Sequence, residues 1–261
     1  GRWMRARVDM LSAIGGAMRP LANAALSGTQ TRWLLEKTLG IARGRKLPAF
    51  AGSQLLRWAA RRCYTRPSRH GGPRVLLFLD TFARRHDPLL TKALVRVLEH
   101  NGIGVWIDPR QVASGMPLVS EGDLVAARRL ARRNVRVLSE AVRQGYRIIS
   151  TEPAAVTCLT HDYPLLLDDD EASRVAAATT DATTYLWELH RDGRLRLDFH
   201  PVSARLLYHM PCHVRVRSLT SPSEHLLRLI PGLLVDAEDR GCSGMAGTFG
   251  LSRDNYRTSL R

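Results

Sequence analysis

From Arg74 onward, short apolar runs alternate with longer helical segments, and this alternation leaves few architectures open. Val75-Leu76-Leu77-Phe78-Leu79-Asp80 is apolar on both faces, as a strand covered from both sides must be. Asp87-Pro88 supplies an N-cap and a first-turn proline for a helix ending at His100, which Asn101-Gly102 closes. Residues 103–107 read as a second strand, 123–143 as a long helix, and 146–150 as a third strand. Glu152-Pro153 opens a helix that carries Cys158 and is expected to stop before Pro164. Asp168-Asp169-Asp170-Glu171 suits the positive amino end of one helix over 172–190, a reading preferred to metal binding. The alternation resumes with strands at 205–209 and 232–235 around a helix at 222–229. Such a pattern predicts an α/β fold of mostly parallel sheets with helices on both faces.

Residues 1–72 differ. Met and Leu are scattered among Ala and Gly up to Ala25, Trp33-Leu34-Leu35-Glu36-Lys37 is helical, and Lys46-Leu47-Pro48 breaks the pattern. Residues 55–64 form a short amphipathic helix in which Cys63 reads as a packing thiol, and 67–73 read as a linker. This segment is expected to be helical and docked on a neighbour.

The net charge is +15, carried almost entirely by arginine, with lysine only at positions 37, 46 and 92. Such a balance passes the first test for nucleic-acid binding. The arginines are dispersed as helical pairs, however, with no long basic run and no aromatic-interleaved basic strand, which weighs against nucleic acid. An acidic partner surface or an anionic membrane face suits the charge as well. No apolar run approaches the ~20 residues of a membrane span, and the amino end lacks the apolar core of a signal peptide. Four cysteines, at 63, 158, 212 and 242, make no dense disulfide framework in 261 residues, so a reducing, cytoplasmic setting is expected.

The two halves overlay. Thr81 and Cys212 each follow a strand and stand 131 residues apart; Ala113 and Cys242 precede the same Ser-Gly-Met triplet and stand 129 apart. One copy of a cysteine site thus reads as emptied, at Thr81 and Ala113. The other retains Cys212 and Cys242 over a loop with glycines at 241, 244, 247 and 250. Thiols at strand ends beside glycine lie where α/β folds hold ligands. Two readings stay open: a metal or iron–sulfur site, or two buried thiols beside a flexible loop. Cys158 has no place in the pattern and reads as a core thiol. His209 and His213 flank Cys212 and read first as strand-end caps.

Tyr208-His209-Met210-Pro211-Cys212-His213 and the stretch Gly241-Cys242-Ser243-Gly244-Met245-Ala246-Gly247-Thr248-Phe249-Gly250 resemble the cysteine-rich CCG module. Its pattern is Cys, about thirty residues, Cys-Cys-Gly, then a distant Cys-x-x-Cys. Gly115-Met116-Pro117-Leu118 with Gly122, and Asn255-Tyr256 with Ser259, add support over roughly residues 73–261. The family includes the C subunit of anaerobic glycerol-3-phosphate dehydrogenase, the B subunit of heterodisulfide reductase and the carboxyl end of FAD-linked oxidases of the D-lactate dehydrogenase type. The resemblance implies two related Rossmann-like units, 73–200 without cluster cysteines and 201–261 truncated, behind a helical segment at 1–72.

It also implies an iron–sulfur electron-transfer part of a flavin-linked dehydrogenase, with Cys212 and Cys242 as metal ligands of a 4Fe-4S-type cluster. Gly241, Ser243, Gly244 and Gly247 would lie around that cluster. FAD is expected on an upstream module or partner, since no Gly-x-Gly-x-x-Gly fingerprint occurs here. Implied partners are a flavin dehydrogenase module and a quinone or other acceptor, with peripheral contact at the inner membrane face. This sequence departs from the pattern at Ser243, which replaces the second adjacent thiol, and in reaching no Cys-x-x-Cys by Arg261; the chain reads as part of something longer. The alternative is a degenerate module used for structure or docking.

Overall fold

The computed structural model describes residues 6–217, 221–238, 241–245 and 248–260. Three helices, α1 (Val8–Ala17), α2 (Arg19–Ser27) and α3 (Thr29–Leu39), lead to α4 (Gln54–Arg61). The α/β part opens with β1 (Arg74–Leu77), α5 (Thr81–Arg85), α6 (Pro88–His100), β2 (Gly104–Trp106), α7 (Met116–Ser120), α8 (Leu124–Arg143) and β3 (Arg147–Ser150). It continues through α9 (Pro153–Thr157), a π turn (Cys158–Asp162), α10 (Tyr163–Leu167), α11 (Asp170–Ala178), β4 (Thr179–Asp181) and α12 (Ala182–Arg191). The last part holds β5 (Ala204–His209), α13 (Cys212–Arg217), α14 (Pro222–Arg228) and β6 (Leu233–Glu238), with short 3-10 turns at Phe249–Leu251 and Thr258–Leu260.

Both sheets are parallel, one of four strands in the order β2-β1-β3-β4 and one of β5 and β6. The first sheet has a core on each face. Leu77, Leu79, Val95, Leu98 and Ile107 lie on one side, and Leu76, Phe78, Leu138, Ile148 and Leu159 on the other. Adjacent residues of β1 therefore point into different cores, which is why that strand shows no polar alternation. The expected α/β class, with mostly parallel sheets and a helical amino-terminal segment, is the fold found.

Helix starts follow the caps. Asp87 Oδ1 accepts from Leu89 N (3.1 Å) and Leu90 N (3.2 Å), and Asp123 Oδ1 accepts from Ala126 N (3.2 Å). Three expectations fail. Residues 172–190 are not one helix, because Thr179-Thr180-Asp181 forms the buried edge strand β4 against β3. The β-branched threonines favour that pairing over helix, and Asp181 caps the new helix by accepting from Thr184 N (2.8 Å). The helix from Pro153 does not stop before Pro164. It widens into the π turn and continues to Leu167, the wider turn accommodating the proline that would otherwise break it. Cys63 is no packing thiol either. The helix ends at Arg61, and Cys63 lies beyond it, exposed and left-handed at φ 60°.

The amino-terminal segment is docked as expected, at both ends of the chain's fold. Ser12 Oγ and His86 Nε2 lie 3.1 Å apart, and Arg7 reaches Asp123 (3.5 Å). Residues 40–45 clasp the last residues described. Ala42 N donates to Leu251 O (2.8 Å), Arg253 N to Gly40 O (2.7 Å), and Arg45 Nε to Gly250 O (2.9 Å). Arg45 also bonds the Ser259 hydroxyl and stacks over Tyr256 at 5.3 Å. Arg45→Ala removes this guanidinium clamp. Hydrogen exchange at Ala42 and Arg253 should rise at least tenfold, about 1.4 kcal/mol of local protection. Unchanged exchange there would show that the backbone pairs hold without it.

Candidate functional site

The carboxyl edge of the first sheet gathers polar groups from every strand. Asp80, directly beyond β1, is buried among three donors: Thr81 N (2.8 Å), Ser114 N (3.0 Å) and Ser114 Oγ (2.5 Å). These bonds tie the Thr81 end of β1 to the Ala113–Ser114 loop, the two places where the sequence pattern shows emptied thiol positions. Glu152, just past β3, turns its carboxyl onto the start of α5. It accepts from Phe82 N (3.2 Å) and Ala83 N (2.9 Å). Burial, and then the charge of Asp80, push the Glu152 carboxyl up to about 8. Burial raises Asp80 as well, against its hydrogen bonds from Ser114 and Thr81. The hydrogen bonds oppose the rise at both carboxyls, and the charge of Asp80 adds to the rise at Glu152.

Behind this pair the Ala113–Ser114 backbone is fixed from α8 and α10. Asn134, fully buried, accepts from Val112 N (2.9 Å) and donates to Val112 O, Ala113 O and the Tyr163 hydroxyl (3.1, 3.1 and 2.8 Å). Tyr163 Oη donates to Ser114 O (2.8 Å), and so does the Cys158 thiol (3.4 Å). Burial pushes that thiol far up, so Cys158 is the inert core thiol expected from the sequence. A hydrogen-bonded carboxyl network thus joins Thr81 and Ser114 at this sheet edge. Sequence reading missed Glu152 in this role; its signal was an acid directly after an apolar strand, paired with Asp80 seventy-odd residues upstream.

In the last part, β5 and β6 lie in parallel register, with His209 opposite Glu238. Cys212 begins α13 just past β5, as Thr81 begins α5 just past β1. Cys242 lies in the loop past β6, and Arg215 on α13 donates to Gly241 O (3.5 Å). The two thiol-bearing segments are therefore neighbours at the same strand ends. Left-handed glycines recur as well: Gly102 (φ 68°) and Gly232 (φ 78°) before β2 and β6, and Gly115 (φ 88°) and Gly244 (φ 73°) after them. A side chain at Gly244 would meet Ser259 O, so the loop packs tightly against the last turn.

Cys212 Sγ stands 3.6 Å from His213 Nδ1 and is half-buried, while Cys242 is exposed. Burial, and then Arg217, lower His213 below the usual imidazole range, against Asp162. His209 Nε2 is buried with no partner among the described residues. Ser243 and Gly244 lie in the described loop; Gly247 lies outside the described residues. Arg217 pairs with Asp181 (3.3 Å) and Ser223 Oγ with Thr183 Oγ1 (2.9 Å), seating this part on the carboxyl edge of the first sheet. Among the described residues no three His, Cys, Asp or Glu side chains converge as a metal-binding group. Two thiols are half of a four-thiolate set, so these residues alone do not fit an iron–sulfur cluster. Among the described residues, no helix is long and apolar enough to cross a membrane.

The resemblance read from the motifs to the C subunit of anaerobic glycerol-3-phosphate dehydrogenase is matched by sequence similarity over most of the chain. The C subunit of the anaerobic glycerol-3-phosphate dehydrogenase of Escherichia coli (strain K12) is 31% identical over 252 residues, 96% of this chain and 63% of that protein. The B subunit of the fumarate reductase (CoM/CoB) of Methanothermobacter marburgensis is 31% identical over 193 residues, 72% of this chain and 36% of that protein. Lactate utilization protein A 1 of Bacillus cereus is 26% identical over 190 residues, 68% of this chain and 74% of that protein. The chain spans just under two thirds of the first of these and about a third of the second. No family model matches the chain, and neither does any solved structure.

Proposed function

We propose that the chain is the electron-transfer part of a flavin-linked dehydrogenase or reductase, and that residues 73–200 and 201–261 are two copies of one unit. The carrying observation is the pair Cys212 and Cys242 at the ends of paired parallel strands, in a chain related to subunits of a dehydrogenase and a reductase. Both thiols would serve as metal ligands of an iron–sulfur cluster of 4Fe-4S type, the remaining thiolates coming from outside the described residues. Such a cluster, when bound, carries single electrons. The Gly241–Gly244 backbone would offer N–H donors to a cluster held there. Ser243 supplies a hydroxyl, a harder donor than thiolate, suited to hydrogen bonding rather than ligation. The flavin would lie on a partner, the reductant would be glycerol 3-phosphate or a 2-hydroxy acid such as D-lactate, and the acceptor a quinone. Contact with the inner membrane face would be peripheral, the chain itself residing in the cytoplasm.

The first unit supports a second reading for itself alone. Its former thiol positions are held by the Asp80–Ser114 network, so it acts as a structural and docking unit with no cluster. Iron and sulfide analysis tests both readings. Anaerobically purified protein extended past Arg261 through a Cys-x-x-Cys should hold one cluster. Changing Cys212 or Cys242 to Ser should remove most of the iron, and Ser243→Ala should keep it. Full iron retention in the Cys212→Ser, Cys242→Ser double variant would exclude these thiols as ligands.

A further inference from the structure

Between α4 and β1 the chain runs along the free edge of β2. On that edge Ile107 N donates to Tyr64 O (2.8 Å); Tyr146 Oη donates to Ser68 O (3.2 Å), and on the β1 side Gly104 N donates to Pro73 O (2.9 Å). Residues of this segment and Gly102–Val105 together line an open cavity of about 610 Å³. Arg62, Arg66, Arg69 and His70 are among its lining residues, and all four are exposed. Among the described residues, none of these three arginines pairs with a carboxylate. The one carboxylate in the lining, Glu99, is occupied by the Tyr64 hydroxyl, and burial followed by that bond pushes the phenol up to about 12. The cavity is thus a pre-formed concavity with three positive charges against one negative. Three exposed arginines around one opening favour an anion, which guanidinium groups grip with paired N–H donors.

We propose that this cavity binds a small organic dianion, a phosphate monoester or a dicarboxylate, gripped by Arg62, Arg66 and Arg69. Its volume falls in the range of small-molecule sites, roughly 300–1,000 Å³. The charge inside calls for about two negative charges on the ligand. No aromatic side chain other than Tyr64 and His70 lines it, and Tyr64 is engaged, so a stacked nucleic-acid base has no platform there. The site lies on the opposite side of β1 from β3 and stands independently of any cluster at Cys212 and Cys242.

Cys63, exposed in the same wall, is a built-in reporter. Alkylation of Cys63 by N-ethylmaleimide is followed by peptide mass spectrometry in inorganic phosphate, in succinate, and in chloride at matched ionic strength. Occupancy should slow Cys63 about fivefold at a ligand concentration about four times its dissociation constant. Exposed Cys242 should react at the same rate throughout. Protection by phosphate alone assigns the phosphate-ester class, and protection by succinate alone the dicarboxylate class. The Arg62→Gln, Arg66→Gln, Arg69→Gln variant should lose protection, and the corresponding triple lysine variant should regain part of it. No protection by either anion, equal protection of Cys242, or protection that survives the glutamine variant would overturn the proposal.

Discussion

Glu152→Gln should flatten the pH dependence of stability between about pH 5 and 8. In the folded protein Glu152 stays protonated up to about 8, whereas its ordinary value is 4.5. Across that window the folded state therefore holds a proton that the unfolded state has released. Unfolding sheds it, and stability falls as pH rises, by about 1.4 kcal/mol per pH unit at full effect. The contribution is complete below the unfolded value and lost as pH passes through the folded one. Glutamine copies the neutral carboxyl: its oxygen can still accept from Ala83 N or Phe82 N, and its amide carries no charge to repel Asp80. Urea denaturation at pH 5, 6.5 and 8 reads the effect. The variant should match the parent near pH 5 and exceed it by about 3 kcal/mol at pH 8. Parallel slopes for the two proteins would place the proton elsewhere. Asp80→Asn gives the complementary result, returning Glu152 toward an ordinary carboxyl.

Asn134→Ala should cost about 3 kcal/mol or more. The amide satisfies Val112 N, two carbonyls and the Tyr163 hydroxyl in a fully buried site. Deleting it leaves several of these groups without water or partner, each costing about 1–3 kcal/mol before relaxation. Asn134→Asp retains the acceptor but loses the donor and buries a charge near Asp80, so it should cost at least as much. A loss under about 1 kcal/mol in denaturant titration would mean that water enters and restores the bonds. Because the Ala113–Ser114 backbone rests on this amide, the Asn134 variants should also weaken the pH slope assigned to Asp80 and Glu152.

Much of the scaffold could be read from residue order because its signals are local. Asp87-Pro88, Asp123 and Asn101-Gly102 mark helix ends within three or four residues of the groups they satisfy. Val75-Leu76-Leu77 of β1 and Ile148-Ile149 of β3 are apolar without a break because both faces are covered. What stayed hidden depends on distant partners. Thr179-Thr180-Asp181 becomes a strand only because β3 offers an edge to it. Pro164 sits inside a helical run because the preceding π turn opens a place for it. For the thiols, the repeat pointed to the neighbourhood: Thr81 and Ser114 are joined through Asp80, and Arg215 joins the segments of Cys212 and Cys242. The pairing of Asp80 with Glu152 could not be read, since nothing in the sequence says that Glu152 turns back onto α5.

The clasp of residues 40–45 on the last described residues has a temporal meaning. Arg45 meets Gly250 across 205 positions of sequence. A ribosome delivers Arg45 long before its partner exists, and closing so long a loop is among the slowest steps a chain can take. The first sheet can assemble while the arm waits, since its strand partners lie nearer in sequence. The arm is thus made early and fixed late, so nascent chains halted before Gly250 should carry a protease-sensitive amino-terminal arm on an already ordered first sheet.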